Sequence, residues 1–359
     1  MAVQPQVLTS IQAARGGAAL AVVLCHAGTE LGAPFGGALR AGHAGVDFFF
    51  VLSGFIIATV HRDDVGLPSS IASYSRKRLV RIYPVYWIAT SFALALWWLG
   101  AVPLSNVIPG GVAISLLLLP QHVEPTLAVA WTLEHEMLFY MAFGLLVLNR
   151  KVGVSAFAVW ACFIMAQLPL VSSDLPWAPA DLLSGFIGSS YNLEFGLGIA
   201  VATFASRYRT PFPRVLAAIG VIGLLLTAAA EDADMIRYLG QVGRAMFGAS
   251  SAMVVLGLAA AERTGSLRAG RFPAFIGSAS YSIYLIHAPL TLSVGSLAAV
   301  HLLPAWIAVA VLATVGIVGG VTLHLAVERP VLRALRPRAF EQLGPMVGAT
   351  GFEPVTPAV

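Results

Sequence analysis

Ten apolar runs, each close to the length a helix needs to cross a bilayer, leave this chain little choice of architecture. They fall near residues 11–30, 43–61, 82–101, 126–148, 152–171, 184–206, 213–230, 242–261, 274–299 and 304–327. A helical crossing takes about 20 residues at about 1.5 Å per residue. In hydrocarbon every backbone hydrogen bond must close internally, and a single long run does so only as a helix. Charge is scarce along the whole length: 11% of the 359 residues are charged, against about 25% in a soluble domain. A soluble domain with one anchor is therefore excluded. The fold expected is all-α and integral to the membrane, a bundle of about ten transmembrane helices.

An eleventh apolar stretch, residues 107–120, is opened by Pro109-Gly110-Gly111 and closed by Pro120. It is too short for a helical crossing and reads as a re-entrant or interfacial segment. Charge supports that reading. If the N-terminus is cytoplasmic and this segment does not cross, all of the 21 basic residues except Arg40, Arg237 and Arg244 lie on the cytoplasmic side. If it did cross, the later basic clusters would change sides and the asymmetry would weaken. Both termini are therefore expected in the cytoplasm, with the chain multi-pass in the cell's inner (plasma) membrane. The net charge of +4 belongs to these short loops, so nucleic acid is not the partner; membrane lipids are. Residues 1–338 read as one membrane domain and residues 339–359, rich in Gly and Pro, as a disordered cytoplasmic tail. Cys25 and Cys162 sit in apolar runs and are expected as buried free thiols. Cysteine and histidine show no metal-ligand spacing, so no metal is expected.

The segment Gly45-Val46-Asp47 through Ser53-Gly54-Phe55 organises the candidate chemistry. It is apolar enough for a bilayer yet carries Asp47, and a carboxylate there needs a partner, a cavity or a proton. In the first run, Arg15 and His26 are eleven residues apart. At about 100° per residue that is three turns plus about 20°, so both share a face, about 16 Å apart along the axis. Neutral imidazole at that depth is suited to act as a general base on a hydroxyl. Glu136 and Tyr140, at i and i+4, share a face of the fourth run near the midplane. Either Asp47 or Glu136 could orient His26 and stabilise its imidazolium. Glu134 and His135 lie nearer the outer end and read as a wet outer vestibule. Arg78 and Arg81, at i and i+3 before Tyr83-Pro84, would grip phosphate oxygens from one helix face. Further ionisable or polar groups within apolar runs are Glu194, Tyr281, Tyr284 and His287; for the last three, bonding between helices is the plain structural alternative. Glu328-Arg329-Pro330 reads as a local ion pair or helix cap at the inner surface.

Taken in order, these motifs resemble the membrane-bound acyltransferase-3 family over roughly residues 9 to 335. The motifs are Arg15 with His26; Gly45-Val46-Asp47 through Ser53-Gly54-Phe55; Arg78-x-x-Arg81 before Tyr83-Pro84; Trp131-Thr132-Leu133 followed by Glu136, Phe139 and Tyr140; and Ser280-Tyr281-Ser282 through His287. The resemblance implies about ten spans, a catalytic role for His26, and service of the acyl-CoA donor by Arg78 and Arg81. Some members continue into a periplasmic esterase-like domain; this chain stops too early for one and is expected to be of the stand-alone type.

The resulting expectation is an O-acyltransferase that moves an acyl group, foremost acetyl, from acyl-CoA to a hydroxyl of a saccharide or glycosylated acceptor. Catalysis falls to His26, Glu136 and Asp47; donor binding to Arg15, Arg78, Arg81 and Ser53; acceptor or supporting roles to Tyr140, Glu194, Tyr281 and His287. Acyl-CoA enters as a substrate and no cofactor is bound. Direct transfer is expected; a covalent intermediate is the variant route, for which Cys25, pointing about 100° away from its neighbour His26, makes a poor relay. The rival function is a proton-coupled transporter or flippase, for which no repeat relating two halves of the chain is visible. A non-catalytic scaffold would leave the buried ionisable groups without a purpose. The sequence does not decide between a monomer and a homo-oligomer.

Overall fold

Each apolar run carries a helix in the computed structural model, which describes residues 8–33, 35, 37–167 and 182–335. The long helices are α1 (Thr9–Glu30), α2 (Ala44–Val60) and α3 (Ile71–Trp98). After the short α4 (Pro109–Leu116) come α5 (Trp131–Leu148), α6 (Arg150–Gln167), α7 (Tyr191–Arg207), α8 (Pro213–Asp232), α9 (Gln241–Arg263), α10 (Arg271–Gly295) and α11 (Ala305–Leu323). A π-helical turn, His324–Glu328, joins α11 to α12 (Arg329–Ala334). No strand occurs among the described residues. The tail expected over 339–359 lies outside them, as does the end of the run 152–171.

Among the described residues, five stretches are long and apolar enough to cross a membrane by length and composition: Gly37–Val60, Pro68–Trp98, Pro213–Asp232, Gln241–Arg263 and Ala305–Ala334. The helices outside that set include α1, α5, α7 and α10, which carry His26, Glu136, Glu194 and His287. Polar side chains dilute the apolar character of the helices at the centre of the bundle. Large apolar side chains cover the outside, among them Trp98, Phe212, Leu225, Leu226 and Trp306, all well exposed. A surface of that kind suits lipid rather than water.

The segment 107–120 contains the eight-residue α4. At about 1.5 Å per residue it reaches about 12 Å, far short of the about 30 Å of hydrocarbon. Its last carbonyls would be orphaned on stopping within an apolar layer. Three aromatic donors from α3 meet them: Tyr86 Oη donates to Ser115 O at 2.6 Å, Trp87 Nε1 to Leu116 O at 2.9 Å, and Tyr83 Oη to Leu117 O at 2.9 Å.

Helix pairs close through glycine. A side chain at Gly54 of α2 would run into the Phe195 carbonyl of α7, and one at Gly198 into the Val51 carbonyl of α2. Here small residues let backbones touch. Gly198→Val is expected to force α2 and α7 apart and to destabilise by about 2 kcal/mol, read as a lowered melting temperature in detergent. The same device joins α1 and α10, where Gly16 lies against the backbone of Gly277. At the start of α1, Glu262 from the end of α9 accepts from the Thr9 and Ser10 amides, each at 2.7 Å, and from both hydroxyls. Carboxylate at a helix N-terminus satisfies free amides and the dipole together. The first turn of α1 and the last turn of α9 therefore share one side of the bundle.

Candidate active site

The α1–α10 contact sets the site. His26 follows Gly16 by ten residues and His287 follows Gly277 by ten. The helices run in the same direction, so equal steps from the contact raise both imidazoles to one height. His287 Nε2 lies 3.1 Å from His26 Nδ1, with ring centroids 4.9 Å apart. Carbonyls of Val22, at 3.0 Å from His26 Nδ1, and of Tyr284, at 2.8 Å from His287 Nδ1, hold the two rings. His287 is completely buried, whereas His26, flanked by buried Cys25 and Ala27, is exposed. Its Nε2 makes no hydrogen bond among the described residues.

One turn toward the start of α10 lies a cavity of about 120 Å³. Seven of the expected site residues line it: Arg15, Ser53, Arg78, Arg81, Glu136, Tyr140 and Tyr281. Phe49, Phe50, Leu52, Ile56 and Leu133 supply apolar wall, and Thr132 and Tyr284 also line it. Tyr284 lines the cavity and packs its ring 5.8 Å from that of His287, so it links the cavity wall to the imidazole pair. Its hydroxyl lies 3.0 Å from Thr132 Oγ1. Sequence reasoning gave neither hydroxyl a role at the site, although Tyr284 is one turn from Tyr281 and Thr132 one turn from Glu136.

The arginines differ in their partners. Arg15 donates through Nε and Nη2 to Gly277 O, at 2.9 and 2.6 Å. Arg81 is ion-paired to Glu328 and lies 4.7 Å from the centre of the Tyr281 ring. Glu328 is fully buried and also holds His324 Nδ1, at 2.8 Å, and Ser282 Oγ, at 2.6 Å. The local Glu328-Arg329 pair expected from sequence is thus replaced by a long-range one, because the π turn points the carboxylate inward. Arg78 has no hydrogen bond or ion pair among the described residues. It is 6% exposed, its Nε is buried and unsatisfied, and its guanidinium lies 5.7 Å from the centre of the Tyr140 ring. A buried guanidinium without an anion is costly, and a ligand phosphate or carboxylate would supply one. Glu136 accepts from Tyr140 Oη, one turn away, and more weakly from Ser53 Oγ at 3.4 Å. These three form one polar wall, and neither hydroxyl is free for another acceptor.

Asp47 and Glu194 are brought together with each other and not with His26. Asp47 lies on the face of α2 turned from the cavity; its carboxyl meets that of Glu194, and the Arg244 guanidinium serves both. The orienting roles considered for Asp47 and Glu136 go unfilled, since His26 bonds to His287 instead. Glu134 and His135 do not form a wet vestibule: both are buried. Glu134 accepts from Gln121 Nε2 at 2.9 Å, and His135 Nδ1 lies 3.1 Å from Asn192 Oδ1. The loop before α5 folds over that helix end, so distance from the end misjudges depth. Cys25 is buried as expected; Cys162 is exposed on α6, as an apolar residue facing lipid would be.

Just beyond α2, enclosed His61 holds Asp64 Oδ2 at 2.7 Å. Burial, followed by the positive charge of Arg78, pushes the His61 pKa down to about 4 against the pull of Asp64. The unfolded chain takes up that proton near pH 6.5 and the folded chain does not. Stability is therefore expected to fall as pH drops from about 6.5 to about 4, by about 3 kcal/mol at most. In His61→Gln that part of the slope should vanish, which melting curves across this range would show.

Fold and site together define a helical membrane enzyme. The chain belongs to the acyltransferase-3 family: the family model, described as an acyltransferase domain, matches residues 8–325, and the protein is an enzyme that transfers acyl groups. It is 31% identical over 330 residues to the exopolysaccharide production protein ExoZ of Rhizobium meliloti (strain 1021), across 88% of this chain and 96% of that protein. It is 29% identical over 381 residues to the acyltransferase MdmB of Streptomyces mycarofaciens, across 91% of this chain and 92% of that one. No solved structure matches the chain.

Proposed function

We propose that this protein is an O-acyltransferase of the inner membrane, with ten crossings and both termini cytoplasmic, that moves acetyl from acetyl-CoA to a saccharide hydroxyl. The observation that carries the donor assignment is Arg78, a buried guanidinium in the cavity wall with no anion in hydrogen-bond or ion-pair contact among the described residues. CoA phosphates supply that anion, Arg81 and Arg15 flank it, and the pantetheine arm follows the apolar wall toward Tyr284. The acceptor approaches exposed His26 from the other side. His26 Nε2 takes the proton of the acceptor hydroxyl as its oxygen attacks the thioester carbonyl carbon. The tetrahedral adduct collapses, the C–S bond breaks, and the CoA thiolate takes the proton back from the imidazolium. An ester and CoASH result, with no covalent enzyme intermediate. The name of the relative from R. meliloti, an exopolysaccharide production protein, supports a saccharide acceptor; a glycosylated small molecule would satisfy the same chemistry.

Purified protein incubated with acyl-labelled acetyl-CoA and a panel of surface glycans tests the reading. Label is expected to enter a glycan ester in step with CoASH release. Proton-coupled uptake into vesicles with no acylated product would overturn it in favour of a transporter.

A further inference from the structure

We propose that His287 is the positioning residue of the site: a neutral imidazole that fixes the tautomer of His26 and stabilises its charged form, in the place a carboxylate takes in a triad. The inference rests on the assignment of His26 as base. Three carbonyl contacts carry it. His287 Nδ1 lies 2.8 Å from Tyr284 O and 3.1 Å from Ile283 O. Carbonyls only accept, so Nδ1 bears the hydrogen and Nε2 of the neutral ring keeps its lone pair. His26 Nδ1 lies 3.0 Å from Val22 O, so it too bears the hydrogen. It therefore shares that hydrogen between Val22 O and the lone pair of His287 Nε2, 3.1 Å away. Only His26 Nε2 is left as a base, and it belongs to the exposed ring.

The surroundings hold this arrangement. His287 is completely buried, and Gly316 of α11 lies against its Cβ, where a larger residue would push it off line. When His26 gains a proton at Nε2, the positive charge at Nδ1–H meets a fixed acceptor without any reorganisation. A neutral acceptor is weaker than a carboxylate, which suits a ring that must return its proton to the leaving thiolate.

The test uses the full chain in detergent, with kcat, the donor KM and melting temperature measured for each variant. His287→Leu removes the acceptor and is expected to lower kcat by about 10²-fold, less than the about 10⁴-fold seen when a triad loses its carboxylate. Donor KM should stay within about twofold, because His287 does not line the cavity. His287→Gln, whose amide oxygen reaches the position of Nε2, should recover to within about tenfold of the parent rate. If the Leu variant does not fold, His287→Asn replaces it: its amide keeps the Tyr284 contact, stops short of His26, and must run well below Gln. A folded Leu or Asn variant with parental kcat, or Gln and Asn losing rate equally, overturns the proposal. The base assignment fails separately, through a fully active His26→Ala protein.

Discussion

Arg78→Ala is expected to raise the KM for acetyl-CoA by about 10²-fold while leaving the melting temperature unchanged or higher. A hydrogen bond to a charged group contributes about 1.5–3 kcal/mol, and a guanidinium gripping phosphate through two nitrogens reaches the upper part of that range. Removing Arg78 removes a buried cation that makes no hydrogen bond or ion pair among the described residues, so little stability is lost with it. Arg81→Ala should behave in the opposite way. It strips the ion-pair partner from fully buried Glu328, and a broken buried pair costs about 3 kcal/mol, partly offset here by His324 and Ser282. Its melting temperature should fall by several degrees. Two arginines one turn apart on α3 thus separate into a ligand-binding one and a structure-bearing one. Donor KM and thermal melting on the two single variants check this. Equal melting losses with unchanged KM would remove Arg78 from the donor site.

The second large effect is at the base. His26→Ala should lower kcat by at least about 10³-fold, since a positioned general base contributes about 10²–10⁴ and no other ring nitrogen stands in its place. Folding should survive. The ring is exposed, so its loss opens no buried void, and His287 Nε2 loses one donor, at about 1 kcal/mol. Donor binding should survive too, because the arginines lie in the cavity beyond Tyr284.

Much of this arrangement was legible in the chain. Hydrophobic run lengths located the helices, and the shortness of 107–120 agreed with an eight-residue α4. Helical spacing put Arg78 and Arg81 on one face, and both line the cavity. What stayed hidden was which neighbour each polar face meets. Spacing says that Asp47 is costly in hydrocarbon, but it does not say that α7 and α9, bearing Glu194 and Arg244, pack on its side of α2. Likewise Glu328 reaches Arg81 across 247 positions, a partnership made by the π turn and by tertiary packing. The imidazole pair left a faint signal: Gly16 and Gly277 each precede a histidine by ten residues. It becomes informative only once α1 and α10 are known to touch and to run in the same direction.

The most direct measurement is turnover and donor binding on one preparation of His26→Ala protein, beside the parent. Acetyl-CoA is expected to bind both equally, and ester to form only with the parent. Ester formed at the parental rate by the variant would contradict the assignment of His26 as base.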